Sequence, residues 1–260
     1  MYRMGPLLLS SHYFGYCFIL FVSYVHQVKV MSASPKWPRS QSKRSLNSPE
    51  LNVNDDADQN ISSSSSPSMN PNSLTSMRKK AAQMLSTDNL RSISQLPDGE
   101  SEQDWVTVNL LEFFQHIMAL YGTISSYCTP SLCPSMTAGP NYEFFWAQDG
   151  KKPIKVSAPH YTELLRSWVI RSLQDDHLVP DHPGEEFSKD FMKKISPIYK
   201  RLLRIYAHIY HSHLEQIQAL DERLAFDISC KHFIVFSKEF SLIDQNSLAP
   251  LSDLIASYAI

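Results

Sequence analysis

Residues 200–213 read KRLLRIYAHIYHSH, and this stretch does most to decide the fold. Apolar side chains recur at three- and four-residue steps through it, which is the spacing of an amphipathic helix with one buried face. These apolar residues are Leu202, Ile205 and Ile209, and Ile198 just before the stretch continues the same face. We therefore predict a long helix over 187–220, in which Pro197 marks either a start or a kink.

The same helix carries a positively charged face. At 100° per residue, Lys200, Arg201 and Arg204 span an arc of about 100° that avoids the apolar face. Clustered cations, and the bidentate geometry of arginine above all, are what phosphate recognition requires. The alternative is a solvated helix face with no ligand, which is the more frequent role of such charges.

Histidines and cysteines supply the donor set of a metal site. His208 and His213 form H-x4-H on the predicted helix, and Cys128 and Cys133 form C-x4-C upstream. Two thiolates and two imidazoles suit a tetrahedral structural zinc with no position left for water, whereas three ligands and a water would indicate a zinc hydrolase. On an ideal helix residues five apart differ by about 140°, so His211 and His213 compete as the fourth ligand.

The two cysteines lie in a stretch that no regular element tolerates. Residues 127–141 contain three prolines and a glycine, which predicts an ordered loop held by something other than backbone pairing. A metal ion would supply that hold. The segments 142–146 and 154–156 flank a turn at Asp149 and Gly150, and they are predicted to form a short hairpin.

Further amphipathic helices are predicted on both sides of this loop. One is marked at its start by Asp98 and Gly99 and carries apolar residues over 105–121. Another starts with Ser157 as N-cap and Pro159 in the first turn. The remaining candidates cover 226–240 and 248–258. Because no internal repeat is visible, we expect one mostly α domain built as a helical bundle with a small β-hairpin.

Charge is distributed unevenly along the 260 residues. Residues 1–96 carry ten Lys or Arg against five Asp or Glu, whereas residues 97–260 carry fourteen against twenty-one. An acidic body is unsuited to neutralising nucleic-acid phosphates, so we expect no nucleic-acid partner and favour a basic protein segment. The seven glycines do not form a phosphate-cradling motif, and four cysteines are too few for a disulfide framework.

The first 77 residues differ from the rest in composition. Residues 1–30 are apolar but interrupted, which indicates a signal-like or interfacial segment, or an extension without a role that arose as a gene-model artefact. Residues 31–77 are rich in Ser, Asn and Pro and are predicted to be a disordered linker before a domain over 78–260. Thiolate–zinc chemistry favours the cytoplasm and nucleus, although the apolar start leaves membrane targeting open.

Several stretches resemble the Mob kinase activator (Mob/phocein) family over about 85–260. They are DWVTVNLLEFF, LYGTISSYCTPSLCPSMTAGPNYEFFW, KKPIKVSAPHY, KRLLRIYAHIYHSH, and KHFIVFSKEFSLID with LAPL. The resemblance implies a left-handed four-helix bundle and no catalytic activity. It also implies a structural zinc ion whose ligands are Cys128, Cys133, His208 and His213, with His211 outside the coordination sphere.

The resemblance further implies two docking surfaces. The first binds the basic N-terminal regulatory segment of NDR/LATS-type AGC kinases. Its matching residues here are Leu85, Glu100, Asp104, Trp105, Val108 and His232. The second binds phosphothreonine peptides of upstream Hippo/MST-type kinases through Lys200, Arg201 and Arg204. The implied role is a kinase-activating adaptor in Hippo signalling, and the alternative is a phocein-like scaffold subunit of phosphatase or vesicle-associated assemblies.

Overall fold

The computed structural model describes residues 86–148, 150–176, 178–180 and 186–260, and helices dominate them. In chain order these are α1 (Thr87–Ser94), α2 (Glu102–Ile124), α3 (Ala158–Leu173), α4 (Phe191–Ser212), α5 (Leu214–Ala219), α6 (Arg223–Glu239), α7 (Gln245–Leu248) and α8 (Ser252–Tyr258). A 3-10 turn, Ala249–Leu251, lies between α7 and α8. Within the described ranges, no helix has the length and apolar character needed to cross a bilayer. Leu85 and the predicted segments 1–30 and 31–77 fall outside the described residues.

The core is built around α4, against which α2 and α3 pack, while α6 packs against α2 and α1. Phe113 of α2 meets Phe233 of α6 with ring centroids 5.2 Å apart, and Tyr199 of α4 stacks on Phe233 at 5.6 Å. The Tyr199 hydroxyl donates a hydrogen bond to the Val106 carbonyl at 2.9 Å, which satisfies a buried polar group. The predicted mostly α architecture with four long helices is therefore confirmed.

The helix predicted over 187–220 is in fact two helices. α4 ends at Ser212, and α5 begins at Leu214. His213 between them has φ −138° and ψ 16°, which is not a helical conformation, although its N–H still donates to the Ile209 carbonyl at 2.9 Å. Pro197 lies inside α4 and does not start it. This break carries a functional side chain, as shown below.

Two helices, α2 and α3, begin close to the residues at which the sequence predicted a helix start. α2 begins at Glu102 rather than at the predicted Asp98–Gly99 signal, because Ser101 is the N-cap and accepts a hydrogen bond from the Asp104 N–H at 3.1 Å. Gly99, with φ +85°, belongs to the turn before the cap. α3 begins directly after Ser157, as predicted.

The small sheet uses a different pairing from the predicted one. Strand β1 (Thr137–Ala138) lies inside the stretch predicted to contain no regular element, and it pairs antiparallel with β2 (Tyr142–Glu143). The segments predicted to pair are joined, where the structure describes them, by a single bridge between Trp146 and Ile154. The reason is that Met136 lies between those segments. Its N–H donates to one of them, and its carbonyl accepts from the other.

Candidate metal centre and docking surfaces

Four buried side chains converge at the end of α2 and the end of α4. Cys128 Sγ is 3.4 Å from His208 Nε2, and Cys133 Sγ is 3.4 Å from His213 Nε2. The four donor atoms all lie within 4.8 Å of one another. A tetrahedral zinc with Zn–S of about 2.3 Å and Zn–N of about 2.0 Å separates its sulfur and nitrogen ligands by about 3.5 Å. The four side chains could therefore hold a metal ion.

The local structure explains why His213 joins this cluster and His211 does not. Because α4 ends at Ser212, the His213 side chain is released from the ideal helical direction that separated it from His208. His211 instead points to a different neighbour, since its Nε2 lies 2.7 Å from the carbonyl oxygen of Pro250. Of the two histidines that the sequence left open, it is His213 that lies in the cluster that could hold a metal ion.

Hydrogen bonding and burial prepare the donor atoms for a cation. His208 Nδ1 lies 2.8 Å from the Thr137 carbonyl oxygen, which can only accept, so Nδ1 carries the proton and Nε2 is left for the metal. Burial lowers the pKa of His208 and lowers that of His213 to about 4, which keeps both imidazoles neutral. Burial also raises the pKa of the Cys128 thiol to about 12. A bound cation would reverse this last effect and favour the thiolate.

A cleft with a volume of about 500 Å³ opens between α1, α2 and α6. The surface of its lining is mostly apolar, although seven of the thirteen lining residues are polar or charged. The lining residues are Asn89, Leu90, Ile93, Glu112, His116, Ala119, Leu120, Thr123, Glu222, Ala225, Ile228, Ser229 and His232. Glu112 and Glu222 are its acidic members. An apolar cleft with acidic groups suits an amphipathic segment that carries basic residues.

One polar atom in this cleft is buried without a partner. His232 Nε2 is among the buried side-chain atoms for which the described residues offer no hydrogen bond. Its ring packs edge-on against Phe113, with centroids 5.0 Å apart. Burial, with a smaller contribution from nearby His116, lowers the pKa of His232 to about 4. The imidazole is therefore neutral at physiological pH, with one ring nitrogen protonated and the other able to accept a hydrogen bond.

The cations of α4 are half-buried rather than fully solvated. Lys200 Nζ pairs with an Asp244 carboxylate oxygen at 2.5 Å. Arg201 and Arg204 lie against aromatic rings, at distances given below. The three cations lie on one arc of α4, as predicted. They do not form a fully solvated face, because the two guanidinium groups, which are weakly hydrated, pack against aromatic rings.

Comparison with known proteins agrees with this geometry. Residues 82–251 match the family model of the Mob1/phocein family. The chain belongs to the Mob1/phocein family. It is 47% identical over 184 residues to "MOB kinase activator-like 1A" of Arabidopsis thaliana, which covers 70% of this chain and 85% of the relative. It is 46% identical over 184 residues to "MOB kinase activator-like 1 homolog A" of Dictyostelium discoideum, covering 70% and 86%.

Of the six family-implied kinase-binding residues of this Mob domain, four lie on α2 or α6. Trp105 and Val108 lie on α2 at a spacing that continues through Glu112 and His116 of the cleft, so the four residues form one stripe within about 80° of the helix surface. His232 reaches the same cleft from α6. Leu85 lies outside the described residues.

The remaining two kinase-binding candidates lie at the start of α2 and also have structural contacts nearby. Glu100 is half-buried and precedes the helix. Asp104 accepts a hydrogen bond from the Ser101 hydroxyl at 2.6 Å and thus closes the cap of α2. Trp105 likewise has a structural contact, because its indole N–H donates to the Ser94 carbonyl at 3.2 Å and so joins α1 to α2. Asp104 and Trp105 therefore stabilise the start of α2 and its contact with α1.

Sequence reasoning missed two sets of residues in this Mob domain. The first is the cleft lining apart from His232, since only tertiary packing brings α1, α2 and α6 together. The second is the group of aromatic side chains around Arg201 and Arg204, which come from the sheet region and α3. The apolar spacing that continues along α2 was the one local signal from which more residues of the cleft lining could have been predicted.

Proposed function

We propose that this protein is a non-catalytic adaptor that binds and activates an NDR/LATS-type AGC kinase. The observation that carries the proposal is the mostly apolar cleft between α1, α2 and α6, with Glu112 and Glu222 in its lining and the Trp105–Val108 stripe leading into it. The names of the relatives, which describe kinase activators, support the same role.

The cleft offers a basic amphipathic segment two kinds of contact. Apolar side chains of the segment would displace water from the α1, α2 and α6 surfaces, which is the larger contribution to affinity. Lys or Arg side chains would meet the acidic lining, which sets orientation and speeds association. A segment ordered in this way shifts its kinase toward the state that the ordered segment stabilises, by differential affinity for the two states.

The α4 cations form a second part of the proposal. We assign Lys200, Arg201 and Arg204 to binding phosphothreonine peptides of an upstream Hippo/MST-type kinase. Guanidinium groups bind phosphate dianions with paired hydrogen bonds, and these three cations lie on an acidic body that would otherwise repel phosphate. An adaptor with both surfaces would bring a phosphorylated kinase and its substrate kinase together in the cytoplasm and nucleus.

Zinc is the metal that the Cys128, Cys133, His208 and His213 donor set suits best. With four protein ligands the ion would have a structural role, joining the loop after α2 to the end of α4. It would supply no catalysis, because no coordination position remains for water or substrate. The proposed role of the metal is therefore to hold the scaffold on which both surfaces are built.

The test is a binding titration of the full chain with N-terminal regulatory segments of candidate NDR/LATS-type kinases. We expect Glu112→Lys to weaken binding about tenfold, since it reverses a charge inside the cleft. The matched control is Glu239→Lys, the same charge change at an exposed position of α6 outside the cleft lining. The proposal fails if the wild-type chain binds none of these segments, or if both variants weaken binding equally.

A further inference from the structure

Arg201 lies against two tryptophan side chains, Trp146 and Trp168, whose rings meet edge-on with centroids 6.3 Å apart. Its Cζ lies 4.1 Å from the ring centroid of Trp168 and 4.7 Å from that of Trp146. Its Nη2 also donates a hydrogen bond to the Ala147 carbonyl at 2.6 Å. Trp146 is buried, and its ring is braced edge-on by Tyr161 at 5.3 Å. The arginine is therefore confined by contacts from two separate parts of the chain.

Arg204, one turn further along α4, has the same kind of surroundings. Its Cζ lies 5.0 Å from the Phe144 ring centroid, and its Nη1 donates to the Tyr161 hydroxyl at 2.8 Å. Tyr161 is fully buried in α3 and also braces Trp146, so one tyrosine connects the surroundings of both arginines. The four aromatic residues Phe144, Trp146, Tyr161 and Trp168 are called the aromatic clamp from here on.

Lys200 is held differently. Its ammonium group pairs with Asp244, which is the N-cap of α7, and it has no aromatic contact among the described residues. The Lys200 side chain is 36% exposed and that of Asp244 is 50% exposed. A carboxylate beside Lys200 lowers the local positive potential, whereas the rings of the aromatic clamp carry no net charge. The clamp therefore holds the two arginines without itself neutralising them.

We infer that Trp168 and Tyr161 are positioning residues that hold the guanidinium groups of Arg201 and Arg204 in the orientation that receives a phosphate dianion. This inference rests on the proposed phosphopeptide-binding function and names the residues that determine its strength. A guanidinium group has five N–H donors, so an arginine that contacts aromatic rings can still donate hydrogen bonds to phosphate. An arginine already held in place loses less conformational entropy when phosphate binds.

The experiment compares four full-length chains in two measurements. The chains are wild type, Trp168→Leu, Trp168→Phe and Tyr161→Phe. The first measurement is fluorescence anisotropy with a labelled phosphothreonine peptide of a Hippo/MST-type kinase and with its unphosphorylated form. The second is the NMR signal of the arginine Nε–H groups without any peptide, assigned with Arg201→Lys. Thermal unfolding of each chain confirms that it is folded.

We expect Trp168→Leu to weaken phosphopeptide binding about tenfold and to move the Arg201 Nε–H resonance, because leucine keeps the apolar contact but lacks the aromatic face. Trp168→Phe should restore binding to within about threefold of wild type, since phenylalanine is a weaker π partner. Tyr161→Phe should weaken binding about threefold through Arg204, which loses its hydrogen-bond acceptor.

The results separate this inference from the function on which it depends. A wild-type chain that does not distinguish phosphorylated from unphosphorylated peptide overturns the phosphopeptide function itself. A wild-type chain that does distinguish them, together with unchanged affinity and an unchanged Arg201 resonance in Trp168→Leu, overturns the clamp alone. If Trp168→Leu does not fold, the buried Tyr161→Phe substitution supplies the same decision, because full binding by that folded variant also contradicts the inference.

Discussion

His211 and His213 differ by two positions in the sequence, yet they have different partners. His213 Nε2 faces the Cys133 sulfur, whereas His211 contacts the Pro250 carbonyl. We predict that His213→Ala loses bound metal and at least about 3 kcal/mol of unfolding free energy, as expected when a structural metal is lost. Metal content by mass spectrometry and chemical denaturation measure the two effects.

The matched control for that change is His211→Ala. It removes the contact to Pro250 but should retain one metal ion per chain and cost only about 1 kcal/mol, the value of one hydrogen bond. Stoichiometric metal in His213→Ala, with loss of metal in His211→Ala, would reverse the assignment of the fourth ligand.

His232 makes the stability of the fold depend on pH. Its pKa is about 4 in the folded chain and close to the ordinary 6.5 when unfolded, because burial disfavours the imidazolium. Between these values the unfolded chain binds more protons, so the unfolding free energy falls as pH falls from 6.5 to 4. We predict that His232→Gln removes on the order of 2 kcal/mol of this fall.

The measurement is urea denaturation of both chains at several pH values, followed by subtraction of the two curves. The subtraction removes the pH dependence that both chains share, including that of the metal ligands. A difference that stays constant from pH 7 to pH 4 would contradict the buried, neutral state of His232.

Among the secondary-structure elements, two glycines differ in whether their position has room for a side chain. Gly139 lies in the β1–β2 turn at φ +66°, and a Cβ there would approach His211 Nδ1 to 3.1 Å. Gly122 lies in α2, and a Cβ there would meet nothing within 4 Å. We predict that Gly139→Ala lowers the unfolding free energy by about 1–2 kcal/mol, through backbone strain and this close contact.

Gly122→Ala is the matched control, because it adds the same methyl group at a helical position. We expect it to raise the unfolding free energy by up to about 1 kcal/mol, the difference in helix propensity between the two residues. Urea denaturation measures both variants. If Gly139→Ala were as stable as wild type, the left-handed turn would not be a requirement of the fold.

For the whole molecule, the metal centre joins residues that are 80 positions apart in the chain. A cross-link that closes a loop of this size lowers the conformational entropy of the unfolded state, which raises the unfolding free energy by about 4 kcal/mol. We therefore predict that exhaustive chelation lowers the melting temperature by about 10 °C. Calorimetry of the full chain with and without chelator measures this shift.

The His213→Ala variant, which we expect to lack the metal, supplies the control for chelation. Its melting temperature should already be low and should not respond to chelator. An unchanged melting temperature in the chelated wild-type chain, with metal shown to be removed, would mean that the helical core alone holds the scaffold.

Local sequence patterns were sufficient to predict the helices that bury one face in the core. Apolar residues at helical spacing predicted α2, α4 and α6, because each helix needs a continuous face against the same core. The hairpin was predicted with the wrong pairing, since the position of Met136 between its segments depends on contacts beyond the local sequence. The break at His213 was missed for a similar reason, because the apolar periodicity continues past the residue at which α4 ends.

The sequence by itself determined the chemistry available to this protein: two thiols, three closely spaced imidazoles, a cationic helix face and an acidic body. Tertiary structure alone decided how these groups are used. It placed His213 rather than His211 beside the two cysteines, assembled the cleft from α1, α2 and α6, and placed Arg201 against two tryptophans. The physical reason is that each of these arrangements joins side chains far apart along the chain, whose distances are set by packing of the common core rather than by local spacing.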